Sequence, residues 1–324
     1  MTRAASRSTT PTSPSSTGGG HVAFVGTGPG DPGLLTVRAV ELLAAADVVI
    51  LDRVMGDRVL THCRPDVEVL QGTVCDEDGR PLAHAARAKL VAQAARSGGL
   101  VVRLMDGDPG TFNGLTEEAL ALSKAGVPFE IVPGVSSVTA VPAYAGIPLT
   151  DSTARSVHVL TAHETDVDWT RHAGDDVTLV VLGGAERILE VAAALVAAGR
   201  AKSTPVAVTR SGTTTSQHTV DATLGDLSKA LKSAGIEPPF LTVIGPTVAH
   251  RDKLSWFETK PLFGWRVLVP RTKEQAGALS AQLVAHGAVA EEVPTIAVEP
   301  PRTPQQMERA VKGLVTGRYE WIAF

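Results

Sequence analysis

The sequence predicts an α/β protein built on largely parallel sheets, and three observations predict it. From His21 onward, short β-branched runs alternate with Ala- and Leu-rich stretches of helical length. The apolar runs, such as Val48–Leu51 and Val177–Leu182, are the length of strands and far short of the roughly 18 residues that cross a membrane. A glycine-rich turn follows the first run directly and opens the first helix, which is where open α/β sheets bind ligands.

The elements follow in order. Residues 22–25 read as a strand, 34–45 as a helix and Val48–Leu51 as a second strand. A helix over 82–96 leads to a strand at 100–104, and a helix over 117–125 leads to the strand Phe129–Val132. Residues 147–155 carry few periodic apolar side chains and read as a linker. A second block opens near Ser156, with strands at 157–161, 178–182, 206–209 and 241–244 and helices at 188–198 and Leu227–Ala234. A third unit opens at Trp265, with a strand at 266–270, a helix at 274–286, a further strand before Pro300 and a helix at 305–315. Residues 321–324 begin another strand, so this unit reads as cut within a domain. The expected organisation is therefore a tail at 1–20, α/β domains at 21–146 and 156–263, and a partial α/β lobe at 264–324.

Composition narrows the function classes. The chain has 324 residues, 44% hydrophobic and 20% charged, with a net charge of −4, ordinary for a soluble multi-domain protein. A nucleic-acid partner would show as a basic excess, so none is expected, and neither is a membrane. Cys63 and Cys75 lack metal-type spacing and read as reduced thiols, which points to the cytoplasm and to no metal centre. The first twenty residues are rich in Ser, Thr, Pro, Gly and Arg without an acid, the composition of a disordered tail rather than a transit helix.

The turn reads GTGPGDPGLLT from Gly26 to Thr36. As a dinucleotide site, with Asp52 as the ribose acid, it fits poorly. The third glycine of GxGxxG is Asp31, so an acid would sit where a pyrophosphate should rest. Asp31 also suits a helix N-cap.

This turn, followed by ADVVILDR at 46–53, resembles the opening of the tetrapyrrole methylase family, and within it the uroporphyrinogen-III C-methyltransferases. The resemblance continues through RLMDGDP (103–109), EIVPGVSS (130–137), AGIPLT (145–150), RSGTTTSQ (210–217) and VIG (243–245), over about residues 21–263. It implies two α/β domains enclosing a cleft that holds S-adenosylmethionine, with S-adenosylhomocysteine as product. The implied cofactor contacts are Pro29, Asp106, Gly107, Asp108, Thr111, Ser136, Ser137, Leu182 and Gly212. The implied substrate is uroporphyrinogen III and the product precorrin-2, on the route to sirohaem and cobalamin, with a homodimer as the expected assembly. Asp52 is the implied base. The substrate carries eight carboxylates, and Arg53, Arg103, Arg155 and Arg210, at strand ends or in loops, are candidates to bind them. His163 matches a position where the family usually has a histidine, and reads equally as a packed or solvated side chain.

The pattern departs from the family at several positions. A lysine is replaced by Met105, the glycine after it by Asp106, an arginine-bearing glycine turn by Asn113–Gly114, and a lysine following Gly72 by Thr73. Leu182 stands for a methionine, a change that conserves volume. The departures leave open a later precorrin methyltransferase, a relative acting on ribosomal RNA or diphthamide, or a weakened methylase serving as a scaffold. The third unit, with RVLVPRTKEQAGALSAQL and VPTIAVEP, resembles the start of uroporphyrinogen-III synthase, which has a flavodoxin-like α/β lobe.

Overall fold

The computed structural model describes residues 20–52, 59–72, 84–270, 273–293 and 304–318. Residues 1–19 of the expected tail at 1–20, with Arg53, Thr73, Cys75 and the strand at 321–324, lie outside the described residues. The chain divides between Trp256 and Phe257 into two compact units.

The first sheet has strands β1 (His21–Gly26), β2 (Val48–Leu51), β3 (Glu68–Gln71), β4 (Leu100–Met105) and β5 (Phe129–Val132). Their order is β3-β2-β4-β1-β5, and every pairing is parallel. Side chains alternate across this sheet, as a strand's period of two requires. Ala23, Val25, Val102 and Leu104 pack under helix α1 (Val37–Ala45), through its Ala39, Leu42 and Leu43. Val22, Phe24, Val101 and Met105 face the opposite way, toward α2 (His84–Arg96) and α3 (Leu115–Lys124).

The sequence places one helix over 34–45, and the structure splits it. Asp31 caps a short 3₁₀ turn at Pro32–Leu34, accepting from the Gly33 amide at 2.8 Å. Thr36 then caps α1 through the Ala39 amide at 3.1 Å, so a second N-cap starts the α-helix proper.

Helix α4 (Ser137–Tyr144), with Pro142 inside it, is an element the sequence pattern does not announce. It comes after the first sheet in the chain but packs elsewhere. Its Val138 and Val141, with Ala145 and Ile147 beyond it, share a core with Val180, Ala207, Leu241 and Val243 of the second sheet. That sheet comprises β6 (Ser156–Thr161), β7 (Val177–Leu182), β8 (Pro205–Arg210), β9 (His218–Thr223) and β10 (Phe240–Ile244). Its order is β6-β7-β10-β8-β9. Only β6 and β7 pair in parallel; the other pairings are antiparallel. The expectation of largely parallel sheets is therefore corrected here. The tight loop 211–217 returns the chain directly as β9 beside β8, a hairpin that leaves no room for a crossover helix. The outer face is covered by α5 (Ile188–Ala197) and α6 (Leu227–Ala234). A one-turn helix, α7 (Arg251–Leu254), comes after β10.

The second unit begins at Phe257, earlier than the expected start at 264. Phe257 and Phe263 meet edge to face at 5.5 Å, and the Leu262 amide donates to His286 O at 3.0 Å, which ties this stretch to the rest of the unit. Strands β11 (Arg266–Val269) and β12 (Val289–Glu292) pair in parallel, joined by α8 (Lys273–Ala285), with α9 (Pro304–Val315) after them.

Candidate functional site

The glycine-rich turn leaves β1 and is immediately tied to the loop after β4. Gly28 and Gly107 exchange backbone hydrogen bonds of 3.1 and 3.0 Å, an isolated antiparallel bridge at the carboxyl edge of the parallel sheet. Thr27 donates to Met105 O through its amide at 2.9 Å and its hydroxyl at 3.1 Å. The loop after β5 closes against both. A Cβ on Gly134 would stand 2.0 Å from Gly107 O and 2.8 Å from the Gly26 Cα, so three backbones meet where a side chain has no space.

Asp108 locks the same corner. Its Oδ2 accepts from the Gly134 amide at 3.0 Å, and its Oδ1 from the Gly110 amide at 2.9 Å and the Thr111 hydroxyl at 3.4 Å. Asn113 donates from Nδ2 to the carbonyls of Asp106 and Asp108, each at 2.6 Å. Sequence reasoning missed this bracing role of Asn113, although its place in the TFNG stretch, where the family pattern breaks, was a usable signal.

Ser136 caps α4, its hydroxyl accepting from the Val138 amide at 3.2 Å. With Ser137 it faces Gly107, whose built Cβ would lie 3.6 Å from the Ser137 amide. The hairpin loop of the second sheet approaches from the other side. Asp31 N donates to Thr213 Oγ1 at 3.1 Å, and a Cβ on Gly30 would meet Gly212 O at 3.3 Å. Gly212 in turn lies so close to α4 that its built Cβ would be 2.6 Å from the Val141 methyls. Tyr144 closes the corner by donating to Asp31 Oδ2 at 2.8 Å. Burial, then this bond to a carboxylate, raises the phenol's pKa.

A cavity of about 530 Å³ lies alongside, lined by Gly110, Thr111, Phe112, Ser136, Val138, Thr139 and Val159. The lining joins the β4–α3 loop, the start of α4 and strand β6. Leu182, at the end of β7, packs in the same apolar cluster as Val138 and Val159. The sequence did not single out Phe112, Thr139 or Val159. Phe112, Ser211 and Thr213 all have positive φ, of 56, 50 and 66°, and all three lie in the two loops of this region. Such backbone is costly and concentrates at functional sites. A separate groove of about 620 Å³ beside α2 and α3 is lined largely by alanines and holds none of the expected site residues.

Pro29, Asp106, Gly107, Asp108, Thr111, Ser136, Ser137, Leu182 and Gly212 thus fall on loops and strand ends that converge on one region. Arg53 is outside the described residues, and Arg155 and Arg210 are exposed. Arg103 is a correction: its side chain is 0% exposed and cannot meet a substrate. It lies on the α2/α3 side of β4, donating to Glu118 from Nε at 2.9 Å and from Nη2 at 3.1 Å, and to Leu104 O at 2.8 Å. Burial alone would lower its pKa, but Glu118 and Asp52 outweigh that and raise it.

Asp52 belongs to the same network. Its Oδ2 accepts from Arg103 Nη2 at 3.1 Å and has Arg87 Nη1 at 3.7 Å. One oxygen of the expected base thus faces two guanidinium groups. His163 is exposed, and its Nε2 accepts from the Gly184 amide at 3.1 Å, an ordinary loop contact. Among the described residues there is no group of His, Cys, Asp and Glu arranged to hold a metal, and no helix long and apolar enough to cross a membrane.

Comparison with known proteins adds an independent line. The family model for Tetrapyrrole (Corrin/Porphyrin) Methylases matches residues 21–228. The chain is 39% identical over 246 residues to siroheme synthase of Pseudomonas putida, covering 74% of this chain and 53% of that one. It is 33% identical over 309 residues to the porphyrin biosynthesis protein HemD of Ruminiclostridium josui, covering 94% and 61%. The chain therefore spans about half to three fifths of the length of these relatives. Among solved structures, it resembles uroporphyrin-III C-methyl transferase from Thermus thermophilus complexed with S-adenosyl homocysteine. That similarity has a TM-score of 0.60 at 33% identity, over 71% of this chain and 93% of that one.

Proposed function

The chain belongs to the tetrapyrrole methylase family, and from that premise we propose that it methylates carbon atoms of uroporphyrinogen III with S-adenosylmethionine, yielding precorrin-2. The observation that carries the reading is that Thr111 and Ser136, two of the expected cofactor residues, line one cavity bounded by the β4–α3 loop, the start of α4 and strand β6. A volume of about 530 Å³ is within the range of small-molecule sites, roughly 300–1,000 Å³. Its lining fits the cofactor's chemistry. Thr111, Ser136 and Thr139 offer hydroxyls for ribose and amino-acid groups, and Phe112, Val138 and Val159 offer apolar surface for adenine.

When bound, the cofactor supplies a sulfonium methyl that is already strongly electrophilic. The protein's task is then alignment and exclusion of water. The bridge between Gly28 and Gly107 fixes the two loops that would hold the cofactor, and Asp108 ties the second of them to Gly134 in the loop after β5. Phe112 and Val159 line the same cavity and would offer apolar surface beside the bound cofactor.

The second unit reads as the start of a uroporphyrinogen-III synthase lobe, supported by the relative that aligns over 94% of the chain. An attached synthase would make the substrate that the methylase consumes, which favours the uroporphyrinogen step over later precorrin steps. Cytoplasmic location and a homodimer are part of the same proposal.

The test is anaerobic turnover of uroporphyrinogen III with S-adenosylmethionine, monitored by the absorbance of precorrin-2. Product with stoichiometric S-adenosylhomocysteine is expected. Tight cofactor binding with no product would move the search to another acceptor, and no cofactor binding would overturn the methylase reading.

A further inference from the structure

We infer that the Asp106 carboxylate takes the proton released after methyl transfer, and that Asp52 anchors the site instead. This inference rests on the proposed methylation of uroporphyrinogen III.

Four carboxylates stand at or just beyond the carboxyl edge of the first sheet: Asp31, Asp52, Asp106 and Asp108. Three are committed. Asp31 caps its turn and holds Tyr144. Asp108 braces Gly134, Gly110 and Thr111. Asp52 is engaged by Arg103 and Arg87, with Glu118 completing a network buried behind it. Among the described residues, no ion pair and no side-chain hydrogen bond engages the carboxylate of Asp106; a backbone bond from Gly107 does.

Placement favours it as well. Strands β2 and β4 are neighbours, so their ends carry Asp52 and Asp106 side by side. Asp106 immediately precedes Gly107, half of the bridge to the glycine-rich turn, and its own carbonyl is pinned by Asn113. The residue is exposed, so its carboxylate is open to a ligand bound at this edge of the sheet. Partial desolvation of the carboxyl, then the negative charge of Asp52, push its pKa up, opposed by the Gly107 amide. A carboxylate with a raised pKa is the better base near neutral pH.

The step balances. The ring carbon's electron pair forms the bond to the methyl as the methyl–sulfur bond breaks onto sulfur, leaving S-adenosylhomocysteine and a cationic ring. Asp106 then removes one proton from the ring system, which discharges the cation while the side-chain carboxylates are unchanged, and passes it to water.

The experiment compares the full chain with Asp106→Asn, Asp106→Glu and Asp52→Asn in anaerobic turnover across pH, with cofactor affinity measured separately. The wild-type kcat should rise with pH through an ionisation above the usual aspartate range. Asp106→Asn should lose about 10²-fold or more in kcat, within the range general bases supply, and lose that acidic limb. With the cofactor held saturating for each variant, Asp106→Glu should keep the limb. Retention of both rate and limb in Asp106→Asn overturns the inference while leaving the function intact. Failure of the wild type to methylate uroporphyrinogen III despite binding the cofactor removes the proposed function, and this inference with it.

Discussion

Arg103 and Asp52 meet at 3.1 Å, a strand-centre cation reaching the carboxylate at the end of the neighbouring strand. The same guanidinium makes two bonds to Glu118, which is likewise fully buried. The base expected from the resemblance and one of the expected substrate-binding arginines are thus partners in a structural network.

Replacing Arg103 should therefore unfold the protein more readily. Arg103→Met leaves Glu118 buried with only the more distant Arg87, at 3.9 Å, facing it, and removing one member of a buried pair costs about 3–5 kcal/mol. Chemical denaturation checks this. A midpoint matching the wild type would mean that the network contributes nothing.

Gly134→Ala should damage fold and cofactor site together. Its Cβ would lie 2.0 Å from Gly107 O, and overpacking of this kind costs about 1–3 kcal/mol or more. Gly110→Ala, whose Cβ would come no nearer than 3.2 Å to Asp108 Oδ1, should melt close to wild type. Thermal melts of the pair, with cofactor titration of Gly134→Ala, separate the cases. Undiminished binding there would show that the three-backbone contact is not needed for the site.

Tyr144→Phe removes one hydroxyl and leaves the ring's edge contact with Trp256, at 5.1 Å, in place. Loss of its bond to Asp31 should cost about 1 kcal/mol and loosen the glycine-rich turn. Weaker cofactor binding with a small drop in stability is expected. Binding unchanged to within error would detach this corner from the cofactor.

Stability should also depend on pH through His172. Its Nδ1 lies 2.9 Å from that of His158, an arrangement that needs one ring to donate and the other to accept. Burial, then His158 and Arg171, lower the His172 pKa against the pull of Asp168. The unfolded chain therefore binds more protons than the fold as the pH drops below the ordinary histidine value of about 6.5. The contribution is fully present above that value and is lost on acidification through the depressed pKa. Denaturation midpoints from pH 8 to 5 should fall less steeply in His172→Gln than in the wild type. Parallel profiles would exclude this pair as the source.

The first sheet was legible because its apolar runs are short, separated by helices and ended by glycine, and Val48–Leu51 and Phe129–Val132 have the expected bounds. Three elements were not. Strand β3 is mostly exposed and carries Glu68 and Gln71, so it lacks an apolar run. Strand β9, HTVDAT, is polar and is held by pairing with β8 rather than by its own burial. Helix α4 contains Pro142, which signals an interruption, yet tertiary packing against β7, β8 and β10 sustains it. The site divides in a similar way. Glycines and acids in the loops marked where the backbones would gather. What occupied each carboxylate did not show, because Arg103 and Glu118 become partners only once β4 is laid against α3.

The bridge between Gly28 and Gly107 also governs how this site can diverge. Main-chain amides and carbonyls do the holding, and every residue type except proline supplies both. Side chains around the rim can therefore be exchanged, as Asp106 illustrates, without altering the main-chain frame that would hold a ligand. Chemistry at such a site is free to drift within a lineage, provided the glycines stay.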